Sequence, residues 1–269
     1  DLNHVLYRIH IEINSKKKSS PISRLYTQIS KIAVLLLIPL LAFTVYSIIS
    51  KSETPVEYTE ITAPKGEKVQ FVLPDGSSGY LNSGSTLSYS YPFGKNRVVE
   101  LEGEGFFDVK HSDNEFIVKV SDLSVRVHGT RFNVCAYSNE RKITTTLEEG
   151  SVSVVRNSDG KTMTIKPNQQ LLMKKSNKKM YVRDVDVDLF VSWKDNMLRF
   201  ENTPFIEAVK KMERWYDVKI ILDKDLEYTQ RYTMTIKTES LRELLTLMQV
   251  TTPMSYEIKE DTVYINSIK

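Results

Sequence analysis

The chain has 269 residues, with 37 Lys and Arg against 34 Asp and Glu, a net charge of +3, and a single cysteine, Cys135. One thiol excludes an intramolecular disulfide, so any part facing an oxidising compartment stands on its packing. The charge is uneven: residues 1–31 carry Arg8, Lys16, Lys17, Lys18, Arg24 and Lys31 against Asp1 and Glu12, a net +4, which leaves the remainder near −1 and without the clustered basic surface that nucleic-acid binding requires.

In residues 1–31, Leu2, Val5, Leu6, Ile9 and Ile13 recur at helical spacing, which predicts an amphipathic helix in a juxtamembrane segment too short to bury a core. Residues 32–50 then hold no charged side chain. At about 1.5 Å per helical residue this run approaches the ~30 Å hydrocarbon core of a bilayer, and Pro39 within it is tolerated better in lipid than in water. Thirty-one residues are long for the n-region of a signal peptide, and no small-x-small cleavage site follows, so the run reads as a retained transmembrane helix. Its basic flank places the N-terminus in the cytoplasm and the C-terminal part across the membrane. Residues 51–60 are polar and read as a tether.

From 61 to 187 the pattern is period-two: Val69-Phe71-Leu73, Phe116-Val118-Val120, Val125-Val127, Phe132-Val134-Ala136 and Val152-Val154, punctuated by Asp75-Gly76, Ser83-Gly84, Asp159-Gly160 and Pro167-Asn168. This predicts an all-β domain, either a sandwich or a solenoid-like stack. Residues 190–269 change to a small α+β domain. Its order is β-α-β then β-α-β-β, read as tandem βαβ units. Thr203 is the expected N-cap of the first helix, with Pro204 at its first position. Ser240 and Glu243 form a capping box on the second helix, and a hairpin turns at Glu260-Asp261.

Few residues suggest chemistry. His4, His10, His111, His128 and Cys135 lack metal-ligand spacing, and no cofactor is expected. Cys135 sits in an alternating stretch and reads as a packing residue. Glu104 and Asp108 resemble an acid/base pair, but with Phe106 and Phe107 interleaved they read as solvated or turn-facing strand positions. Tyr80, Tyr89 and Tyr91 are candidate sugar stackers. Gly129-Thr130 is the one site with a conceivable reaction. The Thr130 hydroxyl could attack the Gly129 carbonyl in an N→O acyl shift, with His128 moving a proton; the competing reading is a strand-entry turn followed by a β-former.

Several signatures together resemble the FecR family of transmembrane anti-sigma regulators: Leu73-Pro74-Asp75-Gly76-Ser77, Leu81-Asn82-Ser83-Gly84-Ser85, Gly103-Glu104-Gly105-Phe106-Phe107-Asp108-Val109, Val127-His128-Gly129-Thr130-Arg131-Phe132-Asn133-Val134 and Leu147-Glu148-Glu149-Gly150-Ser151. Trp193-Lys194-Asp195 and Trp215-Tyr216-Asp217-Val218 resemble the C-terminal domain of Bacteroidetes-type members, related to the short signalling domain of secretins and TonB-dependent transporters. Gly79-Tyr80 and Gly105 depart from the usual pattern. The resemblance implies a single-pass protein of a bacterial inner membrane, periplasmic at its C-terminus. It would relay a signal from the signalling domain of a TonB-dependent transporter to a cytoplasmic ECF sigma factor, through an intramembrane protease. Transporter docking would fall on an edge strand such as Met234-Ile236 or Val263-Ile265. Some relatives self-cleave at the matching Gly-Thr. The chain opens on Asp1, and the family's sigma-binding region is expected to be truncated here. The rival reading is an envelope assembly adaptor with a secretin-like tail and no transcriptional role.

Overall fold

The computed structural model describes residues 2–15, 21–50, 57–93, 97–224 and 229–268. They form two units, residues 1–56 and 57–269. The first holds helices α1 (Leu2–Ser15) and α2 (Pro21–Ser50). Within α2, Gln28–Ser47 is long and apolar enough to cross a membrane, and none of it is buried against protein. Apolar side chains cover all of its faces; such a surface is stable only in protein or in lipid. Pro39 lies inside the helix without ending it.

The second unit starts earlier than expected. Strand β1 (Glu57–Ala63) takes residues 57–60, which composition assigns to the tether, because Thr59, Ile61 and Ala63 alternate inward. The rest of that tether, 51–56, lies outside the described residues. Twelve strands follow: β2 (Val69–Val72), β3 (Ser78–Leu81), β4 (Ser85–Tyr91), β5 (Arg97–Asp108), β6 (Phe116–Val120), β7 (Leu123–Val127), β8 (Arg131–Ala136), β9 (Lys142–Glu149), β10 (Val152–Arg156), β11 (Thr162–Ile165), β12 (Gln169–Lys174) and β13 (Met180–Asp184). They build a sandwich rather than a solenoid. One face runs β1-β4-β5-β6-β7-β10-β11, the other β2-β3-β5-β8-β9-β12-β13.

Strand β5 belongs to both faces. Residues 97–102 pair with β4 and β6, and residues 103–108 pair with β8. The crossing falls at Gly103, whose φ is +101° and where an added Cβ would lie 2.3 Å from Ser85 Oγ. Glycine is required there on both counts. Past the crossing, Phe107 stacks on Phe132 at 5.3 Å, meets Phe71 edge-on at 5.7 Å and reaches Phe116 of the opposite face at 6.1 Å. These rings and fully buried Leu81, Leu87, Val118 and Leu147 form one core between the sheets.

The turn at Asp75-Gly76 forms, with Gly76 N–H on the Leu73 carbonyl at 2.9 Å and Gly76 at φ +82°. It also does something its sequence does not announce. Asp75 accepts a 2.8 Å bond from Arg97, a buried guanidinium that also donates to the carbonyls of Lys110 and Asn114. Burial pushes the Asp75 carboxyl up, but hydrogen bonds from Ser77 and Arg97 outweigh it and hold it below its ordinary value.

The tail comprises α3 (Asp188–Val191), a 3-10 turn (Ser192–Asp195), β14 (Leu198–Pro204), α4 (Phe205–Tyr216), β15 (Lys219–Leu222), β16 (Arg231–Ile236), α5 (Leu241–Thr251), β17 (Met254–Lys259) and β18 (Thr262–Ser267). The strand pairing departs from tandem βαβ units. β14 pairs with β16, β15 runs parallel to β18, and β18 is antiparallel to β17. Each half therefore pairs with the other, and Phe205, Val209 and Met212 of α4 share one core with Leu244, Leu245 and Met248 of α5. A single small βαβ unit has too little apolar area to stand alone, so the halves interlock. Thr203 does not cap α4: β14 runs through Pro204, which is itself the N-cap, and the Thr203 hydroxyl receives the Glu201 N–H instead. The capping box on α5 is present, Ser240 and Glu243 bonding each other's backbone N–H.

Candidate functional site

The outer side of the β3-β5-β8 sheet would be a solvated surface in an isolated sandwich; here the tail covers it. Phe106 of β5 joins Val187, Val191 and Trp193 in a second small core, with Tyr80 and Trp215 against it. The indole N–H of Trp193 donates to Asn133 Oδ1 at 3.2 Å. Asn133 Nδ2 donates to Glu104 Oε1 at 2.9 Å, and Asn82 Nδ2 donates to Glu104 Oε2 at 2.8 Å. Both amide orientations follow from donor-only partners: the Trp193 indole fixes Asn133, and the Ser83 backbone N–H, on Asn82 Oδ1 at 2.9 Å, fixes Asn82. Glu104 thus faces two donors and must present two acceptor oxygens.

Charges complete the interface. Arg214 of α4 pairs with Glu140 at 2.7 Å and lies 4.4 Å from the Tyr137 ring centre. Lys142 pairs with Glu207 at 2.8 Å. Lys68 donates to the Trp193 carbonyl at 3.0 Å and sits 4.3 Å from the Trp215 ring centre. Between sandwich and tail lies a cavity of about 530 Å³, with Glu104, Cys135, Gln170, Lys211 and Arg214 among its walls. Burial raises the Glu104 carboxyl above its usual value; the Arg214 charge and the bonds from Asn133 and Asn82 oppose this without cancelling it. Burial lowers the Lys211 ammonium, against the pull of Glu104. Burial also lifts the Cys135 thiol well above its ordinary value, with the Glu104 charge adding to it.

Glu104 is therefore neither solvated nor half of an acid/base pair. Asp108 is exposed and lies 3.8 Å from Arg131, while Glu104 points into the interface. The candidate stackers do not form a sugar platform either: Tyr80 packs on the Phe106 core, and Tyr89 stacks on Phe93 at 5.4 Å.

The Gly129-Thr130 peptide lies at the entry to β8. Gly129 has no left-handed φ; it is glycine for lack of room, since a Cβ would sit 2.7 Å from His111 Cα. Thr130 is buried, exchanges backbone bonds with Val109 and donates its hydroxyl to the Ser151 carbonyl at 3.0 Å. The exposed His128 places its Nδ1 3.2 Å from the Ser112 carbonyl. The structure thus brings Thr130 together with Val109, the residue after β5, and with the β9–β10 turn, and engages the His128 ring with the loop at Ser112.

Of the expected docking strands, Val263-Ile265 is unavailable. β18 is the central strand of its sheet, with β15 and β17 on either side, and both side chains are fully buried. Met234-Ile236 lies on β16, whose strand partner among the described residues is β14, which leaves one edge open. Ile236 faces the core and Met234 is partly buried against it.

Residues 59–153 match the FecR protein family, and residues 197–265 match the FecR C-terminal family. Two crystal structures of a candidate anti-sigma factor from Parabacteroides distasonis ATCC 8503, at 1.65 and 2.50 Å, are similar to this chain at 29% identity and a TM-score of 0.73. They cover 78% and 79% of this chain and 100% of their own. No curated protein matches it. The two family matches fall on the sandwich and on its tail, and one apolar helix long enough to cross a membrane precedes them in the chain. The chain belongs to the FecR family.

Proposed function

We propose that this chain is a single-pass inner-membrane anti-sigma regulator, with residues 1–31 cytoplasmic and residues 57–269 periplasmic. The observation that carries the reading is the match of both the sandwich and the tail to FecR domains, together with a 29% identical anti-sigma relative spanning the two. The input is the signalling domain of an outer-membrane TonB-dependent transporter, and the output is an ECF sigma factor controlled through regulated proteolysis. The tail is the receiving surface. It offers the open edge of β16 to an added strand and is wired to the sandwich through Trp193, Asn133 and Glu104.

The test is calorimetry of residues 57–269, a compact unit, against signalling domains of TonB-dependent transporters from the same organism. Saturable micromolar binding to one, and not to its paralogues, is expected. Absence of binding to all of them, with the unit folded by circular dichroism, removes the transporter from the scheme and favours the envelope-adaptor role.

The chain is not an enzyme in this reading, and Thr130 is a structural tie between strands. The check is the purified full chain on a denaturing gel. Two fragments meeting at Gly129-Thr130 that vanish in Thr130→Ala would overturn the structural assignment and establish self-cleavage.

A further inference from the structure

Helix α4 turns Phe205, Val209 and Met212 to the tail core. Glu207, Lys211 and Arg214, at i, i+4 and i+7, share another side of it, and all three line the cavity between tail and sandwich. The outer two are taken by the sandwich: Glu207 by Lys142 at 2.8 Å, Arg214 by Glu140 at 2.7 Å. The middle one is not. Among the described residues, the Lys211 ammonium has neither a hydrogen-bond acceptor nor an ion-pair partner. It lies 5.9 Å from the Phe190 ring centre and 5.7 Å from that of Phe200, contacts that favour its charge but accept none of its N–H groups in the plane of a lone pair. The Glu104 carboxylate attracts it, but both Glu104 oxygens are engaged by Asn133 and Asn82.

On the sheet side Arg183 repeats the pattern. Its Nε and Nη2 both donate to Gln170 Oε1, at 3.1 and 2.6 Å, and no carboxylate among the described residues pairs with it. Gln170 is fully buried and spends its own amide N–H on Thr146 Oγ1 at 2.8 Å. The walls thus carry two cations with donors to spare, one from the tail and one from the sandwich, and Leu189, Phe190 and Met197 add apolar surface. At about 530 Å³ the cavity has the size of a small-molecule site. We propose that it binds a small organic anion, with the acid group, carboxylate or phosphate, on Lys211 and Arg183 and an apolar body against Leu189, Phe190 and Met197. Such a ligand touches tail and sandwich at once, so it stabilises the docked tail by mass action. The hold of the tail on the sandwich then responds to a diffusible solute, whatever docks on β16.

The test uses the full chain in dodecyl maltoside. Both tryptophans of the chain, Trp193 and Trp215, line the cavity, so their fluorescence reports on it, and calorimetry registers binding that leaves fluorescence unchanged. Hexanoate, cyclohexanecarboxylate and hexyl phosphate are titrated, with hexanamide, cyclohexanecarboxamide and hexanol as uncharged counterparts. Saturable binding of at least one acid, roughly tenfold tighter than its counterpart, is expected, kept in Lys211→Arg and lost in Lys211→Met. Tighter binding of either hexanoate or hexyl phosphate supports the site and names its acid group. No saturation with any acid by either readout, or equal binding of acid and counterpart, overturns the proposal. So does an acid preference that survives Lys211→Met, because the anion then sits elsewhere. The comparison within the natural protein decides the matter even where the Met variant fails to fold by circular dichroism.

Discussion

Trp193, Asn133 and Glu104 show how a few polar atoms hold the tail in place. Trp193→Phe keeps the ring in the Phe106 core but leaves Asn133 Oδ1 without its donor, at an expected cost of roughly 1–3 kcal/mol, read from the urea midpoint of residues 57–269. Glu104→Gln substitutes a donor for one of two required acceptors and is expected to destabilise by a similar amount. Its pH profile has a definite sign. The Glu104 carboxyl sits above its ordinary 4.5 in the folded protein, so just above that pH the native state holds the extra proton and stability falls as pH rises through the window. Acidification toward 4.5 should therefore widen the stability gap between the natural protein and Glu104→Gln; a gap that narrows refutes the assignment. Asp75 runs the other way. Its carboxyl is held below 3.8, so the contribution of its bond to Arg97 is complete above that pH and is lost as pH falls below it. Arg97→Met, which strands that buried carboxylate, is expected to cost about 3–5 kcal/mol in thermal or urea unfolding at neutral pH. None of these partnerships was legible beforehand. Alternation tells which side of a strand faces the core, and it placed Phe116 and Phe132 correctly. It does not tell what lies against the other side, so Glu104 read as solvated when a tail 89 residues further along covers it.

Strands and helices were legible in proportion to how local their causes are. The α5 capping box is written within four residues, and it forms; Ser240→Ala is expected to lower stability by about 1 kcal/mol. The period-two runs likewise mark strands. Pairing is non-local, and there the reading stopped. Nothing in Leu198–Pro204 states that it pairs with Arg231–Ile236, nor in Val263-Ile265 that strands flank it on both sides. The start of α4 was misplaced for the same reason, since the cross-strand pair of Pro204 with Arg231 overrides a local capping preference. The sandwich-or-solenoid alternative, left open by periodicity, is decided by Gly103, a residue that looked like one more glycine in a motif. Gly103→Ala adds a Cβ into Ser85 at a φ that L-residues avoid, and loss of the folded sandwich by circular dichroism is expected.

Sandwich and tail together behave as one body in which neither surface is complete alone. A chain ending at Asp184 would bare Phe106 and Tyr80, now covered by Val187, Val191 and Trp193. Binding of the dye 8-anilinonaphthalene-1-sulfonate should rise sharply in that shortened form; an unchanged signal would show that the tail is not needed to shield the sheet. In the proposed relay, a transporter domain that adds a strand to β16 acts on the element that pairs with β14, and β14 follows directly on the Trp193 turn. The path from outer edge to sheet surface is therefore one strand and one indole long.

Strand β5 has a consequence for proteolysis and its timing. Because its first half is laced into one ladder and its second into the other, neither sheet can release β5 without disturbing its neighbour. Amide deuterium uptake at Val99 and at Phe107 should then occur at one common slow rate, set by complete opening of the sandwich rather than by fraying. A protease that needs an unfolded segment would find the described strands paired within this lattice.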